Sequence, residues 1–253
     1  MLYDQELNIC IKAALSAGGI QLKYKNRIHK IKKKQDSSPV SEVDKKCEIA
    51  IREIIFKHFP HDGFLGEETG EEKGTSGRKW IVDPLDGTRP YLRGIPTHSA
   101  LIALEENGDI VCGCMHLPAL KETYWAKKGG GAFLNNSKIH VSKTKNLSLA
   151  IGSVFGFIEN QHKSSGKALI SLMKKLDYVY GFMDAYSYGC IACGKLDVCI
   201  NLLDMPWDCA AAACIIKEAG GKFSDLKGNF SIYNKSTVVT NGILHNQVLN
   251  YFQ

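Results

Sequence analysis

Trp80-Ile81-Val82-Asp83-Pro84-Leu85-Asp86-Gly87-Thr88 is the stretch on which the reading of this chain turns. Its three leading apolar residues predict a buried strand. Pro84 disfavours helical angles at Asp83, so the strand is expected to stop there. Asp86 follows three residues later, close enough to turn towards the same point. Gly87 has no Cβ, so a ligand can approach its backbone. Thr88 is placed to cap a following helix, whose free N–H groups would face an anion. Two further acidic sites share this setting. Phe64-Leu65-Gly66 predicts a short strand that ends in Glu67-Glu68, and Trp207-Asp208 opens the apolar run Cys209 to Ile216. Strand ends are where α/β folds place ligands.

Carboxylates gathered at one point repel one another and resist ionisation where water is scarce. Divalent cations remove that penalty. A donor set of oxygen alone suits Mg²⁺, Mn²⁺ or Ca²⁺ and argues against zinc. Each piece also has a plainer reading. Asp86-Gly87 reads equally as a turn, Glu67-Glu68 as a solvated loop beside Glu71 and Glu72, and Asp208 as a helix cap. The joint occurrence, each acid behind an apolar segment, favours a site.

Outward from this centre, the pattern predicts a layered α/β fold. A helix fits Leu2 to Leu22, with Ile9, Ala13 and Ile20 in one stripe. Ser41 reads as the N-cap of a second helix reaching about Phe59, with Asp44 as its acidic partner. Strand-like runs at His98 to Leu104, Ile110 to Leu117 and Glu122 to Ala126 are split by turn signals at Asn107-Gly108 and Pro118, which predicts an antiparallel meander. The second half alternates. Strands at Ala150–Val154, Tyr178–Tyr180, Val198–Asn201 and Val238–Thr240 precede helices near Lys167–Leu176, Asp184–Cys193, Pro206–Ala219 and Leu244–Phe252. We read residues 1–253 as one domain, with an α+β half over about 1–145 and an α/β half over about 146–253.

The 253 residues are 44% hydrophobic and 23% charged, which excludes disordered and low-complexity classes. The longest apolar run is far short of the ~18 residues a membrane span needs. The first residues, Met1-Leu2-Tyr3-Asp4-Gln5-Glu6, carry no secretory pattern, so a reducing cytoplasm is expected for the nine cysteines. Cys112-Gly-Cys114 and Cys190-Ile-Ala-Cys193 could form a zinc site, but two pairs of small buried hydrophobes is the preferred reading. The net charge of +6 owes much to Lys23 through Lys34. Such a segment suits an anionic substrate or a solvated loop. A nucleic-acid groove is disfavoured, because only Tyr24 is there to stack a base.

Gly66-Glu67-Glu68, the Trp80–Thr88 stretch, Trp207-Asp208-Cys209-Ala210-Ala211 and Glu218-Ala219-Gly220-Gly221 resemble, in order and spacing, the inositol monophosphatase superfamily. The resemblance covers nearly the whole chain. It implies an αβαβα sandwich, hydrolysis of small phosphate monoesters with two or three Mg²⁺ ions (Mn²⁺ substituting), and a homodimer. It places metal ligands at Glu67, Asp83, Asp86, Asp208 and the Leu85 carbonyl. Thr88 and Glu67 fall on the water-activating pair, with Asp44 supporting the threonine. The amides of Gly87 and Thr88 match the phosphate cradle, and the basic segment before Pro39 matches a loop that helps close the metal site.

The substrate is read from departures. Inositol-specific members carry a Glu seven residues before the Asp of the Trp-Asp motif, where this chain has Asn201. Asp184, in Gly181-Phe182-Met183-Asp184-Ala185-Tyr186, stands where those members have a small residue. This segment, Arg93-Gly94-Ile95-Pro96 and Thr240-Asn241-Gly242-Ile243-Leu244-His245 look like the histidinol-phosphate phosphatase branch. Histidinol phosphate carries an amine that a carboxylate would bind. A helix cap is the plainer role for Asp184. Inositol phosphate, a 3′-phosphonucleotide, or a non-catalytic RNA-associated role stand as alternatives.

Overall fold

The computed structural model describes residues 2–25, 32–33, 39–40, 42–181 and 184–253. In chain order its elements are α1 (Asp4–Tyr24), β1 (Lys32–Lys33), β2 (Pro39–Val40), α2 (Glu42–His58), β3 (Gly63–Gly66), β4 (Gly70–Glu72), β5 (Arg78–Asp86), α3 (Thr88–Leu92), β6 (Ser99–Glu106), β7 (Asp109–Leu117), β8 (Glu122–Lys127), β9 (Gly131–Leu134) and β10 (Ser137–Ile139). There follow β11 (Ile151–Phe155), α4 (Phe157–Asn160), α5 (Ser164–Met173), β12 (Tyr178–Tyr180), α6 (Ala185–Ala192), β13 (Val198–Asn201), α7 (Pro206–Glu218), β14 (Lys222–Ser224), β15 (Thr237–Thr240) and α8 (His245–Leu249).

Two main sheets alternate with three helical layers, which is the αβαβα sandwich expected. The first sheet has the order β10-β9-β8-β7-β6-β5-β3-β4; the predicted meander is present as β6, β7 and β8, and antiparallel pairing extends it to β5 on one side and to β9 and β10 on the other. The second has the order β12-β11-β13-β15-β14. Its β11 runs parallel to β12 and β13, whereas β13 and β15 are antiparallel. The outer helices α1 and α2 lay Ala13, Ala17, Ile51 and Ile55 against Trp80, Val82 and Ile102. On the other face Ile81, Leu101 and Met115 meet α6 and α7, and the same apolar layer continues into Cys199 and Val239 of the second sheet. Leu169 and Leu172 of α5, with Val248 of α8, close the far side of that sheet. Helix α7 sits unusually close to the first sheet. Its alanines are small, and a Cβ on Gly113 would lie 2.5 Å from the Ala211 carbonyl oxygen.

Two expectations are corrected, and the preferred reading of the cysteines holds. Strand β5 does not stop at Asp83 but runs through Pro84 to Asp86. A bulge absorbs the proline: Asp83 pairs with Leu101 and Asp86 with Ser99, so three steps on β5 face two on β6. Thr88 does not cap α3. Gly87 is the N-cap, at φ 73°, and Thr88 is the first residue of a five-residue helix. The four-cysteine alternative fails because Cys112 and Cys114 belong to the α1–α2 layer and Cys190 to the α6–α7 layer. All nine thiols are free. The predicted Ser41 cap and most of the basic segment after Lys25 lie outside the described residues.

Candidate active site

The bulge in β5 solves a problem of direction. Residues three apart on a regular strand point to opposite faces. The extra residue brings Asp83 and Asp86 onto one face, that of Leu101 and Ser99. That face looks towards α6 and α7. Leu85, turned to the other side, is fully buried in the α1–α2 layer. Strand β3 runs parallel to β5 with Gly66 opposite Val82, and Glu67 donates its N–H to the Val82 carbonyl at 3.1 Å. This sets Glu67 beside Asp83. Asp208, in the first turn of α7, completes the group.

Each aspartate commits one oxygen to the fold. Asp83 Oδ1 accepts from the Leu85 N–H at 2.9 Å. Asp86 Oδ2 accepts from Ser99 Oγ at 2.8 Å and from the Ala185 N–H at 3.1 Å. Asp208 Oδ2 accepts from the Met205 N–H at 2.8 Å, so the plain reading of Asp208 as a cap holds for one of its oxygens. Among the described residues the second oxygens accept no hydrogen bond. Burial, followed by Glu67, Asp86 and Asp208, pushes Asp83 well above the carboxylate range. Burial and then Asp184 push Asp86 up to about 8. Asp208 is raised by burial first and by Asp204 next. Among the described residues, no three His, Cys, Asp or Glu side chains already close into a metal cluster. The donor chemistry nevertheless fits a hard divalent cation: carboxylates anchored on one side, open on the other, and raising one another's pKa.

Thr88 Oγ1 lies 3.2 Å from Asp44 Oδ1 and 3.2 Å from the Leu85 carbonyl oxygen, and Asp44 is fully buried in α2. Asp184 precedes α6 with φ 45° and ψ −140°, a conformation costly for any residue with a Cβ, and its side chain caps nothing. Its carboxylate comes within 3.3 Å of where a Gly87 Cβ would stand. Burial raises it to about 6.

The chain belongs to the inositol monophosphatase family. The family model matches residues 3–253. A histidinol-phosphatase of Chlorobaculum parvum is 36% identical over 239 residues, covering 93% of this chain and 91% of its own. A fructose-1,6-bisphosphatase/inositol-1-monophosphatase of Thermotoga maritima is 32% identical over 252 residues, covering 96% and 94%. The crystal structure of the extragenic suppressor protein suhB from Bartonella henselae superposes with a TM-score of 0.93 at 29% identity, covering 99% of both chains. These matches make the chain a phosphatase of a family that is generally metal-dependent.

Asn201 is not presented as the sequence suggests. Its amide nitrogen donates to Asp204 and its oxygen accepts from the Leu203 N–H at 3.0 Å, so both ends serve the loop before α7. Asp204 itself escaped the sequence reading. It is buried, accepts from Tyr188, Thr237 and Asn201, and is raised by burial to about 6. A looser form of the strand-end rule used for Glu67 would have found it, since it lies three residues after the end of β13. Glu48 also escaped; its Oε2 accepts from the Glu68 N–H at 3.0 Å and steadies the loop that carries Glu67.

Proposed function

We propose that this phosphatase hydrolyses histidinol phosphate to histidinol and is dependent on Mg²⁺, with Mn²⁺ able to substitute. Glu67, Asp83, Asp86, Asp208 and the Leu85 carbonyl are the residues that would hold two or three ions. Bound there, the ions would offset the charge of the phosphate and make water a nucleophile near neutral pH. The chain's own groups do the rest. Thr88 has one hydroxyl proton, which goes to Asp44 or to the Leu85 carbonyl. A lone pair remains to accept from a water and orient it. Glu67 takes the proton as the water attacks phosphorus in line with the leaving oxygen; the ester P–O bond breaks, and a solvent water protonates the departing alkoxide to give the alcohol. The amides of Gly87 and Thr88 precede the first hydrogen-bonded turn of α3 and are available to phosphate oxygens.

Phosphate contacts are common to all candidate substrates, so selectivity must come from the leaving group. One observation carries the histidinol reading: the Asp184 carboxylate is held against Gly87 and Asp86 by a strained backbone. A negative charge there welcomes an amine and repels a second phosphate. The 36% identity to a histidinol-phosphatase supports the same reading. Asn201, bound up with Asp204, offers no carboxylate for ring hydroxyls.

The test is a panel of histidinol phosphate, inositol 1-phosphate and adenosine 3′,5′-bisphosphate. A charge-assisted hydrogen bond is worth roughly 1.5–3 kcal/mol, so kcat/KM is expected to favour histidinol phosphate about ten- to a hundredfold. Asp184→Asn should erode that preference and cost less on a plain aryl phosphate. If inositol 1-phosphate is the best substrate, the histidinol reading falls while the phosphatase assignment stands. Full turnover in EDTA would remove the metal requirement.

A further inference from the structure

The bulge that carries Asp83 and Asp86 is gripped from behind. Gln21, in the last turns of α1, is fully buried. Its Nε2 donates to the Pro84 carbonyl at 2.9 Å and to the Ser99 carbonyl at 3.0 Å. Those carbonyls lie on the two strands whose register shifts at the bulge. Carbonyls only accept, so the nitrogen of the amide must face them and its oxygen must face the other way. Gln21 Oε1 then accepts from His98 Nδ1, 2.8 Å away, which fixes His98 as the Nδ1–H tautomer. Among the described residues the other ring nitrogen is buried without a partner, which suits a bare lone pair better than an N–H. Tyr91 and the imidazole pack edge to face, and the Tyr91 hydroxyl donates to the Gln21 main-chain oxygen at 2.8 Å.

The Pro84 carbonyl and the Leu85 N–H belong to one planar trans peptide and point in opposite directions. Gln21 holds the carbonyl end, from the helix layer. Asp83 Oδ1 holds the N–H end, from the site, at 2.9 Å. The orientation of this one peptide plane therefore links a helix side chain that touches no substrate to the carboxylate at the centre of the acidic group.

We propose that Gln21 is a positioning residue for the acidic site: it sets the Pro84–Leu85 peptide plane and, through it, the direction in which Asp83 presents its second oxygen. His98 acts one step further back, locking the Gln21 amide the right way round. The proposal rests on the reading of Asp83 as a metal ligand.

Binding of Mn²⁺ to the whole protein, followed by calorimetry and by the electron spin resonance spectrum of the bound ion, tests it without turnover. Gln21→Met keeps the length and removes the donor. Loss of an outer group that orients a ligand typically costs roughly 10–100-fold in metal affinity, and a tenfold or larger loss is expected here. At saturating Mn²⁺, kcat should return close to the parent value. Unchanged affinity in a folded Gln21→Met overturns the proposal. Cys47→Ala, in the same α1–α2 layer, controls for lost stability: its Tm should fall while its Mn²⁺ affinity holds. Equal weakening in that control overturns the proposal as well. If Gln21→Met does not fold, His98→Phe keeps the ring and removes the Nδ1 donor. It should show a smaller loss in the same direction, and no loss overturns the proposal. Asp83→Asn separates the two levels. If it binds Mn²⁺ as the parent does, the ligand reading fails and this inference with it. If it loses affinity while Gln21→Met does not, only the role of Gln21 fails.

Discussion

Strands β3 and β5 run parallel, and a buried aspartate sits at each end of the pair. Asp62 precedes β3; Asp83 lies where β5 bulges. At the first end the chain supplies everything the carboxylate needs. Arg78 reaches Asp62 with Nε at 3.2 Å and Nη2 at 2.9 Å, and Trp80 Nε1 donates at 2.9 Å. Glu6 shares the same guanidinium at 2.9 Å. At the other end Asp83 receives one backbone N–H and the repulsion of three carboxylates. One residue type in one strand pair thus serves opposite purposes. The paired aspartate holds the sheet to α1. In the proposed function the other is held for a cation that would restore its charge, and without that cation its burial beside other carboxylates costs stability.

Substitution at the two ends should therefore separate function from stability. Asp83→Asn keeps the shape and removes the charge. The loss in kcat should be at least the roughly 10²–10³-fold that follows removal of one charge-stabilising group in other enzymes. The metal-free protein should melt at the same temperature as the parent or higher, because one repelling charge is gone. Steady-state kinetics and a melting curve in EDTA check the two halves. An early-melting Asp83→Asn would mean that this aspartate also holds the fold together.

Asp62→Ala should do the reverse. It strands Arg78 and the Trp80 N–H in a buried layer. A broken buried pair costs 3–5 kcal/mol, and Arg78 retains some contact with water, so about 3 kcal/mol is expected. For a chain of this size that is roughly 6–12 °C in Tm. Specific activity per folded molecule should stay at the parent value, measured well below the new Tm. A fall in kcat with unchanged Tm would erase the contrast.

The same contrast governs how much was legible in the sequence. Strand ends with acids, the meander and the alternating second half could all be read, because apolar periodicity and Asp-Pro or Asn-Gly punctuation are local signals. The continuation of β5 through Pro84 was not, because the bulge that accommodates it depends on the pairing of Asp86 with Ser99 in another strand. The short strands β4, β9, β10 and β14 are too brief to show a period. Thr88 carries the local signal of a cap, but Gly87, at positive φ, occupies that position. The acids of the site were legible; their supports were not. Gln21 lies 63 residues from Pro84, Ser99 lies 13 from Asp86, and Glu48 lies 20 from Glu68. Asp62 likewise looks like an ordinary loop acid before Gly63 until Arg78 and Trp80 are folded onto it.

The smallest effect expected is on the pH dependence of stability without metal. Asp86 is raised to about 8, and Asp83 and Asp208 are raised as well. Between their unfolded and folded pKa values these groups hold protons in the native state that the unfolded chain has released. Stability from them is complete below about pH 4 and is lost as pH rises towards 8. His98 and His245, both lowered to about 4 by burial, act with the opposite sign, but only below about pH 6.5, where the unfolded chain takes up their protons. From pH 7 to 8 the unfolded chain holds few of the His98 and His245 protons and few of its thiols have ionised. The acidic site then dominates, and each of its raised groups contributes a slope of at most about 1.4 kcal/mol per pH unit. The Tm in EDTA should therefore fall across this unit of pH. Asp83→Asn should flatten the fall, Asp62→Ala should leave its slope intact on a lower curve, and Mg²⁺ should abolish it. A flat profile in the parent would mean that the carboxylates ionise in the folded chain as freely as in the unfolded one, and the difference between the two ends of the strand pair would then be one of geometry alone.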